Sequence, residues 1–125
     1  MKIAQIVNPD FHIVLQKLAT KELPAKTAFK LRSIIKLVND EFKKHEEIRG
    51  EVLQKYGKKD ENGNLITNET NNVQFNEEDI AEFIKEIDYL MKKEVNVPTI
   101  KLSELSEVSL STQDVDLLID LLIED

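Results

Sequence analysis

Pro24-Ala25-Lys26-Thr27-Ala28-Phe29-Lys30-Leu31-Arg32-Ser33-Ile34-Ile35-Lys36-Leu37-Val38 opens a stretch that continues to Gly57 and decides the fold. Within it Ala28, Leu31, Ile35, Val38, Phe42, His45, Arg49, Val52 and Tyr56 follow one another in alternating steps of three and four. That spacing keeps one seam of a long helix facing a partner. Pro24 suits a first turn, where its missing N–H leaves nothing unsatisfied. Gly57 suits the left-handed position that ends a helix. Gly50 is the weak point inside, because a mid-helix Gly costs roughly 1 kcal/mol relative to Ala.

Outward from this helix, Met1–Val7 reads as a short strand or an extended lead-in. Asn8 caps a helix with Pro9 at its first position, and Phe11, Val14, Leu15 and Leu18 give it one apolar stripe. Leu23, preceding a proline, turns the corner into the long helix, making a helical hairpin over 8–57. Residues 58–75 form a loop in which Asn62-Gly63 signals a turn, and Leu65–Thr67 and Val73–Phe75 pair as a small hairpin. Asn76 caps a helix over 76–94, whose Ile80, Phe83, Ile84, Ile87, Leu90 and Met91 face the core. Residues 95–110 hold a strand at Val95–Val97, ended by Pro98, and a loop. Ser111-Thr112-Gln113-Asp114 resembles a capping box that starts a C-terminal helix over 111–125. Val115, Leu117, Leu118, Ile119, Leu121, Leu122 and Ile123 leave that helix apolar nearly all round. Such a helix is either central to its own bundle or meets another subunit.

The expected architecture is a single α+β domain over 1–125, mainly α, with about four helices, one of them long and central, and a small β-hairpin or sheet. An apolar fraction of 41% over 125 residues is enough to bury a core. The absence of Cys excludes disulfides, thiolate metal sites and cysteine nucleophiles. No apolar run approaches the 18 or so residues of a spanning helix, and Asn8-Pro9-Asp10 cuts the first apolar cluster short of a signal sequence. The expected setting is a soluble, intracellular one. Charge is divided unevenly: residues 1–59 carry 13 Lys/Arg against 7 Asp/Glu, and residues 60–125 carry 4 against 17. The simplest consequence is mutual attraction between the halves when they pack.

Catalytic machinery is not evident. His12 and His45 have no partner at metal-ligand spacing, and His45 lies on the helical seam as a core residue. Asp60–Asn64 resembles the start of a calcium loop, but its Gly follows the wrong ligand position. No phosphate loop, nucleophile elbow or zinc motif occurs, so no cofactor is expected. Asp116, Asp120 and Glu124 make a carboxylate stripe without a convergent second cluster. Lys26, Lys30, Arg32 and Lys36 form a basic stretch free of acids, but no nucleic-acid recognition fold accompanies it and the whole chain repels polyanions.

Three segments carry a family likeness: Leu53-Gln54-Lys55-Tyr56-Gly57-Lys58-Lys59-Asp60-Glu61-Asn62-Gly63, then Phe75–Glu78 leading into Phe83–Leu90 with Val95–Val97, and Lys101–Leu105 before Leu110-Ser111. Together they resemble a family of small uncharacterised phage and prophage proteins of Gram-positive bacteria. The resemblance implies a phage origin, action in the host cytoplasm, and a role in virion assembly or host manipulation; it carries no catalytic residues. The expected function is non-catalytic protein–protein binding, as an assembly chaperone or adaptor. The alternative is an acidic inhibitor of a host or defence nucleic-acid-binding enzyme. The partner is another protein or a second copy, not a membrane or nucleic acid. Leu117, Leu118, Leu121 and Leu122, with Asp116 and Asp120, are the expected contact residues.

Overall fold

A computed structural model describes residues 1–124. It is a mainly α, α+β fold: α1 (Ile3–Ile6), α2 (Pro9–Ala19), α3 (Ala25–Tyr56), α4 (Glu77–Met91), β1 (Ile100–Lys101), a 3-10 turn (Leu102–Leu105), α5 (Thr112–Leu117) and β2 (Leu122–Ile123). The chain packs as two compact units, one of residues 1–42 with 94–124, the other Lys43–Lys93; α3 contributes to both.

In the first unit, Asn8 caps α2 as its sequence demands, its Oδ1 accepting the Asp10 N–H at 3.0 Å. Phe11, Val14, Leu15 and Leu18 are buried, with Leu31, Ile34 and Val38 of α3. Met1–Val7 is not a strand. One helical turn puts Ile3 and Ile6 on the same side, both buried, while Lys2 bridges Glu94 and the Val95 N–H reaches the Met1 carbonyl at 2.8 Å. The expected strand at Val95–Val97 lies instead at β1, which pairs in parallel with β2 through Ile100↔Leu122 and Lys101↔Ile123. The C-terminal helix is correspondingly shorter than expected. The capping box forms, Asp114 N–H to Ser111 Oγ at 3.0 Å and Ser111 N–H to Asp114 Oδ2 at 3.4 Å, but α5 ends at Leu117. A short apolar run has no period that separates helix from strand, and here pairing with β1 draws its last residues into extended form.

The long helix is present, but half its seam is displaced. Leu31, Val38, His45 and Val52 are buried at intervals of seven. The interleaved buried positions are Thr27 and Ile34, one residue N-terminal to the expected Ala28 and Ile35; Ala28 and Arg49 are exposed. Steps of three and of four fall on the same flank of a helix, so neighbouring apolar residues such as Ile34 and Ile35 compete for it.

In the second unit, Gly57 ends α3 without a left-handed backbone. Positive φ among the described residues occurs only at Gly63 and Asn71. A Cβ at Gly57 would lie 2.5 Å from Leu65 Cδ2, 2.7 Å from the Leu53 carbonyl and 2.9 Å from Val73 Cγ1, so close approach is what requires glycine there. Leu65–Thr67 and Val73–Phe75 pair antiparallel as expected, through the Thr67↔Val73 bridge and the Gln74 N–H donating to the Ile66 carbonyl at 2.9 Å, and Lys59↔Leu65 adds a second isolated bridge. Asp60 organises the first turn, its Oδ1 accepting the N–H groups of Asn62 and Asn64. Asn76 stands at the head of α4 with an extended backbone, but its side chain caps no backbone N–H.

Candidate protein-binding surface

The residues expected to meet a partner mostly do not face solvent. Leu118 and Leu121 are 0% and 1% exposed and belong to the core of the first unit. Leu117 and Leu122 are half-buried; the Leu117 carbonyl accepts from Gln5 Nε2 at 2.6 Å, and Leu122 lies in β2. Only Asp116 and Asp120 are exposed. The four leucines expected at the contact are therefore held within the fold, while Ile119 and Ile123 of the same segment are 57% and 40% exposed.

Three of the exposed large hydrophobic side chains, Ile80, Ile84 and Tyr89, lie on α4. Of its six apolar residues expected in the core, only Leu90 is buried; Phe83 is half-buried against Phe75, with ring centroids 4.6 Å apart. Ile80 and Ile84, one turn apart on one side of the helix, are 42% and 58% exposed. Glu77 and Asp88 continue the same row at helical spacing, and both are exposed. The result is an apolar ridge flanked by carboxylates. One signal pointed to it: α4 carries six acids against a single Lys85, and only three of those acids sit in the first turn, where the helix dipole favours them.

The basic stretch of α3 is partly consumed inside the first unit. Lys30 Nζ binds both Glu104 oxygens at 3.0 and 3.1 Å, leaving Lys26, Arg32 and Lys36 exposed. The backbone N–H of Lys101 and the Lys30 ammonium hold the Glu104 carboxyl below its usual range. Lys17 similarly bonds Asp114 at 3.0 Å and, as the leading cause, lowers its pKa. With Lys55–Glu86 in the second unit, these pairs join the basic first half of the sequence to the acidic second half. Beside Arg32, the C-terminal end of α2 and the start of α3 enclose a groove of about 230 Å³ lined by Leu23, Ala28, Leu31 and Ile35, with Lys21 and Arg32 supplying charge. Phe29, next to Ala28, is 68% exposed.

Both histidines lie within packed surroundings. The His12 Nε2 pairs with the Ile6 carbonyl and its ring packs edge-on against Phe42, 5.2 Å between centroids. His45 is 3% exposed, and burial lowers its pKa, with Glu46 opposing and Arg49 adding to the shift. Among the described residues, no group of three or more His, Asp or Glu is placed to hold a metal ion, and no helix is long and apolar enough to cross a membrane. Comparison with protein families, curated proteins and solved structures finds no match for this chain.

Proposed function

We propose that this chain is a non-catalytic protein-binding module, an adaptor or assembly chaperone acting in the phage setting that its family resemblance implies. The observation that carries the reading is the Ile80–Ile84 ridge of α4, two exposed apolar side chains one turn apart between the exposed carboxylates of Glu77 and Asp88. Exposed apolar ridges with charged borders mark surfaces that exclude water against a partner. The test is retention of a partner from infected host extract by the immobilised chain, followed by binding measurements on the purified pair. Wild type is expected to hold it at high salt, and Ile84→Asp to release it. Equal retention by both refutes the reading. The exposed acids Glu77, Glu78 and Glu82 favour a second reading, an acidic mimic that blocks a nucleic-acid-binding enzyme. That reading requires binding that collapses as salt rises and competes with polyanion.

A further inference from the structure

We propose that the partner of the α4 ridge is a second copy of this chain, which receives Ile80 and Ile84 in its groove at the junction of α2 and α3. The inference rests on α4 being a binding face and names what covers it. The two surfaces match in shape class: a row of side chains at i and i+4 packs into the groove between neighbouring helical elements. They also match in chemistry. The groove is apolar at Leu23, Ala28, Leu31 and Ile35, and the ridge presents two isoleucines.

Charge supplies the orientation. Residues 25–39 carry no acid and leave Lys26, Arg32 and Lys36 exposed, with Lys30 held by Glu104, whereas α4 holds six acids and one base. Lys21 and Arg32 at the groove thus stand to meet Glu77 and Asp88 beside the ridge; Asp88 also holds Lys92 at 2.9 Å. Like charges at either surface disfavour groove-to-groove and ridge-to-ridge contacts, so the favoured contact joins unlike patches. Contacts of this kind close into a small ring or a symmetric pair, or else propagate as a filament. A protein that organises an assembly by binding its own copies has use for either outcome.

The experiment is sedimentation velocity on the full chain from micromolar to millimolar concentration, with two variants at exposed positions. Ile84→Asp spoils the ridge, and Ala28→Glu obstructs the groove with bulk and the wrong charge. Wild type is expected to exceed the 14.4 kDa monomer mass as concentration rises. Each variant alone is expected to associate at least ten-fold more weakly. An equimolar mixture retains one intact groove and one intact ridge, so it is expected to recover a species of twice the monomer mass that grows no further. Circular dichroism melts check that each variant folds; Ile80→Asp and Arg32→Glu replace any that does not. Wild type that stays monomeric, variants that assemble like wild type, or a mixture that fails to pair each overturn the proposal. A monomeric wild type that still holds a foreign protein through Ile84 overturns the second-copy inference alone. Loss of both removes the binding reading as well.

Discussion

His45 makes the fold sensitive to mild acid. It is 3% exposed on α3 in the second unit, and among the described residues its Nε2 has no hydrogen-bond partner. An unpaired buried polar nitrogen costs about 1–3 kcal/mol, so His45→Leu, which fills similar space without it, is expected to raise stability by roughly 1–2 kcal/mol. The pH dependence follows from burial, which lowers the imidazole pKa from its ordinary value of 6.5. Below that value the unfolded chain binds a proton that the folded chain resists. The stability in question is therefore fully present above 6.5 and is lost as pH falls toward the lowered native pKa. One linked proton limits the slope to about 1.4 kcal/mol per pH unit. Tyr56 and Tyr89, the only tyrosines, both lie in the same unit, so tyrosine fluorescence during urea unfolding reports it selectively. Between about pH 7.5 and pH 5.5 the wild-type midpoint is expected to fall while that of His45→Leu stays level. Equal slopes for the two proteins would show that His45 is not the linked group. Destabilisation by His45→Leu at neutral pH would show that its ring nitrogen is satisfied in solution.

Gly50 is exposed within α3, and a Cβ there meets nothing within 4 Å, so Gly50→Ala is expected to stabilise the helix by roughly 1 kcal/mol, read as a raised urea midpoint. Gly57→Ala is expected to do the opposite by about 1–3 kcal/mol, because the Leu53 carbonyl at 2.7 Å is backbone and cannot swing aside. Leu118→Asp places a carboxylate at a fully buried position and is expected to cost more than about 3 kcal/mol, whereas Ile84→Asp stays within about 0.5 kcal/mol; thermal melts of the two separate a core residue from a surface one. The lowered pKa values of Asp114 and Glu104 add stability that is present above the ordinary carboxylate range and lost as pH falls through it, so Asp114→Asn is expected to shallow the acid limb of a pH–stability curve below about pH 4.

The parts of this molecule legible from sequence are those specified by local chemistry. Asn8-Pro9-Asp10 and Ser111–Asp114 start helices because the capping side chains and the groups they satisfy lie within a few residues of each other. The long helix follows from sustained helical spacing between Pro24 and Gly57, although its buried seam runs through Thr27 and Ile34 where that spacing names Ala28 and Ile35. The rest depends on competition between distant segments. Leu117–Ile123 has the composition of a buried helix, yet Leu122 and Ile123 pair with Ile100 and Lys101, a contact no periodicity encodes. The α4 stripe illustrates the converse. Its spacing states which residues share a side of the helix, but only the supply of facing surface decides which are covered. Leu90 finds cover and Ile84 does not, although both carry the same pattern. An amphipathic stripe wider than the surface that meets it leaves an edge in water, and in α4 that edge is bordered by carboxylates at Glu77 and Asp88. The uncovered edge of the stripe and the proposed binding ridge are thus one observation: the sequence specifies an apolar side of α4, and the fold covers only part of it.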